Sequence, residues 1–110
     1  MIVFPNAKIN LGLNIVKKRE DGYHNIESVF YPIPLFDILE VIPTNNSNKP
    51  FCIEVIDLPD DGKPNLVEKA YRALSAKYEI PPIEVVLKKC IPFAAGLGGG
   101  SADAAYMLKI

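Results

Sequence analysis

The residues best suited to chemistry form one run, Pro92-Phe93-Ala94-Ala95-Gly96-Leu97-Gly98-Gly99-Gly100-Ser101-Ala102-Asp103-Ala104-Ala105. Four glycines in five positions remove side chains that would hold a ligand away from the backbone. Successive N–H groups can then turn into one concavity, a nest for anions. The small residues that follow open a helix whose N-terminal dipole favours a phosphate, and Ser101 could cap that helix or turn its hydroxyl to the phosphate. A flexible linker is the plain alternative. Linkers continue into polar residues, however, and this loop continues into a small-residue helix. Two common phosphate loops do not fit. The P-loop needs Lys-Ser/Thr after its second glycine, and no lysine lies between Lys89 and Lys109. The dinucleotide fingerprint places its glycines early in a βαβ unit, and this loop comes late in the chain.

A second group lies near the start: Pro5-Asn6-Ala7-Lys8-Ile9-Asn10-Leu11, then Asp21-Gly22-Tyr23-His24, then Phe30. Lys8 and Asn10 are two residues apart on an expected strand, so both project from one face, opposite Ile9, Leu11 and Leu13. Taken singly, Lys8 reads as a solvated lysine, His24 as a turn residue, and Tyr23 and Phe30 as core. Taken with the glycine run, they gain another meaning. The pattern Pro-x-x-x-Gly-Leu-Gly-Gly-Gly-Ser-x-Asp-Ala-Ala resembles the ATP-phosphate motif of the GHMP kinases. The N-terminal group resembles the opening of the diphosphocytidyl-methylerythritol kinases within them.

That resemblance implies a transfer from ATP to the 2-hydroxyl of a diphosphocytidyl-methylerythritol, a step of the non-mevalonate route to isoprenoid precursors. It implies that Lys8 is the catalytic lysine, because phosphoryl transfer depends on positioning and on charge stabilisation. Asn10 would bond the substrate, and Tyr23, His24 and Phe30 would hold the cytidine. Pro92 to Ala102 would wrap the ATP phosphates, namely Pro92, Phe93, Ala94, Ala95, Gly96, Leu97, Gly98, Gly99, Gly100, Ser101 and Ala102. Asn65, Leu66 and Lys89 would lie on the adenine side. Mg²⁺ is implied by the reaction, with no dedicated protein ligand and no metal site expected. By the same resemblance the general base, an aspartate, and a C-terminal domain lie beyond residue 110. Residues 1–110 would then be a truncated N-terminal domain, inactive alone and able to self-associate. A non-catalytic nucleotide- or RNA-binding module of the same fold is the alternative, since ribosomal-protein domains share it.

These residues need a scaffold, and the pattern supplies one. Ile9, Leu11, Leu13 and Ile15 alternate with polar residues, which predicts a half-buried strand with all four on one face. The Asp21-Gly22 step predicts a hairpin turn into a second strand over about 25–31. Further strands are expected over 37–42, 51–56 and 84–87, with a loop over 44–50 rich in Asn, Ser and Pro. Asn65 and Glu68 form an expected capping box, with Pro64 just outside, for a helix carrying Val67, Ala70, Tyr71, Leu74 and Tyr78. A second helix is expected from Ser101. The fold class is α+β, a mixed single sheet packed with helices.

Composition narrows the classes. In 110 residues, 49% are hydrophobic and the net charge is −1, as in an ordinary globular domain. The absence of a basic excess argues against a nucleic-acid partner, and small anionic substrates remain open. The first residues are interrupted by Pro5 and Lys8, so no signal core or membrane span is expected. Cys52 and Cys90 read as reduced thiols of a cytoplasmic protein.

Overall fold

The computed structural model describes residues 1–46, 48–57 and 65–110. Pro64 and the stretch just before it lie outside the described residues. In chain order the elements are β1 (Ile2–Val3), β2 (Asn6–Lys18), β3 (His24–Phe36), β4 (Ile38–Pro43), β5 (Phe51–Ile56), α1 (Leu66–Ser75), β6 (Ile83–Lys88) and α2 (Gly99–Met107).

They form two sheets where one was expected. Strands β1, β4, β6 and β5 make a four-stranded mixed sheet in that order, and β2 and β3 make a separate ribbon. β6 pairs antiparallel with β4 and parallel with β5. A parallel neighbour requires a crossover, and α1 provides it between β5 and β6. Leu39 and Val41 on β4 and Ile83, Val85 and Leu87 on β6 are buried at every second position. With Val67, Ala70 and Tyr71 of α1 and Met107 of α2 they make the core. Cys52 and Cys90 are free thiols.

α1 starts where its cap predicts. The Asn65 side chain accepts the Val67 N–H at 2.9 Å. The reciprocal half of the box is missing, because the Glu68 carboxylate accepts instead from Arg72 one turn later, at 2.6 and 2.9 Å. Tyr78 lies past the helix and is exposed. α2 begins two residues earlier than expected. Its N-cap is Gly98 in the left-handed region with no side-chain cap bond, so Ser101 sits inside the helix and does not cap it. Met107 packs into the chain's own core.

The ribbon departs most from the alternation pattern. Two register shifts put extra residues on β2, between Leu11 and Asn14 and between Ile15 and Lys17. Gly12, at φ 71°, sits in the first bulge, a conformation that glycine adopts without strain. Each bulge reverses which face the following residues occupy. Ile9 and Leu11 therefore pair with Tyr31 and Val29 on one face, whereas Ile15 pairs with Ile26 on the face that carries Lys8, Asn10 and Phe30. Nor is the row half-buried. Exposure runs from 36% at Ile9 to 62% at Ile15, because a two-stranded ribbon leaving the domain has nothing stacked on it. Only its base, at Ala7, is fully buried. The tip is a turn closed by Arg19 N–H to the Tyr23 carbonyl at 2.7 Å, with Gly22 in the left-handed region.

Candidate active site

The base of β2 meets the glycine loop. The Lys8 N–H donates to the Leu97 carbonyl at 2.9 Å, joining residues far apart in sequence. The Lys8 ammonium donates to Asn10 Oδ1 at 2.6 Å and to the Gly96 carbonyl at 2.8 Å. It also stands 5.0 Å from the centre of the Phe30 ring, within cation–π range. An ammonium has three N–H bonds, so these two contacts leave one for a ligand. The alternation does its work here. Lys8 and Asn10 share a face, and cross-strand pairing places Phe30 opposite Asn10 on that face.

These residues bound a cleft of about 550 Å³, lined by Asn6, Lys8, Phe30, Gly96, Gly98, Ser101 and Ala102. That volume falls in the ordinary range for small-molecule sites. A larger groove, about 740 Å³, lies between α1 and the start of β5 and is lined by Tyr71, Arg72 and Tyr78 among others. It holds none of the expected site residues, so chemistry favours the smaller cleft.

Gly98 is the hinge of the site. Its φ is 76°, and a Cβ placed there would stand 3.1 Å from Lys8 Cε and 3.2 Å from Cγ. Both the left-handed turn into α2 and the close approach of the lysine stem require glycine. Ala94 is also left-handed, at φ 56°, without that licence. Pro92, Phe93, Ala94 and Ala95 form the exposed outer part of the loop. Gly100 abuts α1: a Cβ there would meet Leu66 Cδ1 at 3.2 Å, so Leu66 borders the loop from the other side. Asn65 lies next to it, with its side-chain oxygen committed to the helix cap.

Three expected residues lie away from this cleft. Tyr23 and His24 sit at the exposed tip of the ribbon and do not line the cleft. β3 is regular from residue 24 to 33, so His24 shares the face of Phe30 but lies about 20 Å along the strand from it. Lys89, expected on the adenine side, points into the domain, and its side chain is 6% exposed. Its ammonium bonds Asp103 Oδ2 at 2.7 Å and, more closely, Asp37 Oδ2. Burial pulls the Lys89 pKa down, but the two carboxylates outweigh it and the net shift is upward. Burial likewise raises the Asp103 carboxyl to about 6 against the pull of Lys89. Nothing in the motif singled out Asp37, which accepts the Cys90 and Ile91 N–H groups at 2.6 and 2.9 Å.

With this geometry in view, the comparisons with known proteins are specific. Residues 65–110 match the GHMP kinases N terminal domain. The whole chain is 59% identical to the 4-diphosphocytidyl-2-C-methyl-D-erythritol kinase of Parabacteroides distasonis and 58% identical to that of Bacteroides fragilis. It also superposes, over 99% of its length, on the crystal structure of a 4-(cytidine 5'-diphospho)-2C-methyl-D-erythritol kinase, with a TM-score of 0.78 and 37% identity. Residues 65–110 carry the GHMP kinases N-terminal domain, and the whole chain is similar to the N-terminal part of these kinases. It carries their N-terminal fold, in which the glycine run and the base of β2 form one cleft. It spans 40% and 41% of the length of the two relatives and 38% of the solved chain. No helix among the described residues is long and apolar enough to cross a membrane.

Proposed function

We propose that this protein transfers the γ-phosphoryl group of ATP to a hydroxyl of a diphosphocytidyl sugar alcohol, the 2-hydroxyl of 4-diphosphocytidyl-2-C-methyl-D-erythritol. The observation that carries the reading is the Lys8 ammonium, fixed by Asn10 and Gly96 at the mouth of the glycine loop. In this reading Gly96 to Ala102 hold the ATP phosphates through backbone N–H groups and the α2 N-terminus. Leu66 packs beside the adenine, with Asn65 holding the start of α1. Mg²⁺ enters with the phosphates; among the described residues no cluster of three or more acidic or His/Cys side chains offers it a site.

The acceptor hydroxyl gives its proton to the aspartate base that the resemblance implies, and its oxygen bonds to the γ-phosphorus as the bond to the ADP oxygen breaks. Lys8 stabilises the charge spread over the phosphoryl oxygens in flight, a role suited to a fixed cation. Asn10 orients Lys8 and bonds the acceptor. Asp103 is not the base that takes the hydroxyl proton, since Lys89 holds it in the interior. The substrate is elongated, with a nucleobase at one end and a polyol at the other. Phe30 at the cleft and His24 at the tip share one ribbon face that can receive it, with Tyr23 beside His24 to stack on the pyrimidine. ATP as the phosphoryl donor fits a cytoplasmic reaction.

The test is a pair of NMR titrations. MgATP should shift the amides of Gly96 to Ala102 and Leu66, and cytidine diphosphate should shift those of Tyr23, His24 and Phe30. If MgATP leaves the loop amides in place, the cleft is not a nucleotide site.

A further inference from the structure

Asp37, Lys89 and Asp103 come from three segments: the junction of β3 and β4, the exit of β6, and the second turn of α2. The Lys89 ammonium bonds both carboxylates, and Asp37 also accepts the N–H groups of Cys90 and Ile91, which lead into the glycine loop. A Cβ on Gly99 would stand 3.3 Å from Asp37 Oδ2, so the cluster lies directly behind the α2 N-terminus. The three side chains are 0%, 6% and 2% exposed, so none reaches the cleft. Asp103 Oδ1 is buried with no hydrogen-bond partner among the described residues. A core that needed only stability would fill this space with apolar groups, which often do better than buried ions.

We propose that Asp103 is a positioning residue for the glycine loop. Through Lys89 and Asp37 it holds the exit of β6 against α2, so that the loop N–H groups and the helix N-terminus converge on one phosphate, and its charge sets how tightly that phosphate is held. The proposal rests on reading the cleft as a nucleotide site.

Two carboxylates share one ammonium, so the fully ionised cluster carries a net charge of about −1. The ionisable groups facing Asp103 are Lys89 and Asp37, and its carboxyl titrates at about 6. Protonation removes the negative charge but leaves a carbonyl oxygen to accept from Lys89, so the geometry survives. Asp103 lies four residues beyond Gly99, about 6 Å along the helix axis, which places its charge roughly 10 Å from a phosphate at the N-terminus. A unit charge at that distance, in an effective dielectric of about 20, changes anion affinity on the order of tenfold, and screening reduces this to about threefold to fivefold.

The experiment measures MgATP affinity by calorimetry from pH 5.5 to 8 for the unsubstituted protein, Asp103→Asn and Asp103→Leu. Comparing proteins at each pH cancels the titration of the nucleotide itself. Asparagine keeps the acceptor for Lys89 without the charge. That variant should bind as tightly as the unsubstituted protein at pH 5.5 and about threefold to fivefold more tightly at pH 8. Leucine removes the tether and should weaken binding at least tenfold across the range. If the unsubstituted protein binds MgATP but Asp103→Leu matches it, or the affinity ratio of Asp103→Asn to the unsubstituted protein stays constant with pH, the positioning role is overturned. Should leucine prevent folding, the asparagine ratio alone decides. If the unsubstituted protein does not bind MgATP, the nucleotide reading itself falls and takes this inference with it.

Discussion

Replacing Gly98 with alanine tests the geometry of the site more sharply than deleting a functional group, because Gly96→Ala serves as its matched control. Both glycines are left-handed, at φ 76° and 73°. Forcing an L-residue into that region costs about 1–2 kcal/mol in either variant. Their surroundings differ. A Cβ at Gly96 meets nothing within 4 Å, whereas one at Gly98 meets Lys8 Cε at 3.1 Å and Cγ at 3.2 Å. Real Cβ contacts are seldom that short, so the lysine stem must give by a few tenths of an ångström or swing to another rotamer. A rotamer change breaks the bonds to Asn10 and Gly96 and carries the ammonium away from the loop mouth. Misplacing a catalytic group by about 1 Å costs on the order of 10²-fold in rate. Chemical denaturation should therefore show similar losses for the two variants, while phosphoryl transfer at saturating MgATP, measured in a chain of its relatives' full length, falls roughly 30- to 100-fold further in Gly98→Ala. Equal turnover in the two variants would refute the claim that Gly98 is needed to seat Lys8.

Two further outcomes follow from the same contacts. Asn65→Ala removes the side-chain cap bond of α1 and should lower stability by about 1 kcal/mol, read by denaturant midpoint, with amide protection lost first at Val67. Asp103 titrates at about 6 in the fold against an ordinary value of 3.8, so its contribution to stability is fully present below about pH 4 and is lost as pH rises through about 6. Asp103→Asn lacks that loss. Its stability relative to the unsubstituted protein should rise by about 1–2 kcal/mol between pH 4 and 7.5, after allowing for solvent screening, and a difference that is flat with pH would contradict the assignment.

What the sequence reveals here depends on whether a signal is local. The Asn65 cap and the shared face of Lys8 and Asn10 rest on neighbouring residues and are found where the pattern puts them, whereas the helix after the glycine run starts at Gly99 and not at Ser101. The bulges in β2 are not readable from alternation alone. Leu13 and Ile15 continue the period in sequence while the backbone at Gly12 reverses the face. The exposure of that row is also invisible locally, since periodicity reports a face and not whether anything covers it. Lys89 is the clearest case. The family resemblance puts it on the adenine side, but its partners are Asp37 and Asp103, which are 52 and 14 residues away. A charged residue next to a binding loop and a charged residue holding that loop look alike until the chain is folded.

The central claim is that Lys8 acts on the phosphoryl group in transfer and contributes little to holding ATP. The measurement that tests it most directly is the pair kcat and MgATP dissociation constant for Lys8→Ala beside the unsubstituted protein, both in a chain of its relatives' full length. The loop backbone and the α2 N-terminus remain in the variant, so affinity should change by less than about fivefold. Turnover should fall on the order of 10²–10³-fold, the usual cost of losing one fixed electrostatic contact to a transition state. A variant that turns over at the normal rate, or one that loses binding and turnover in equal measure, would contradict it.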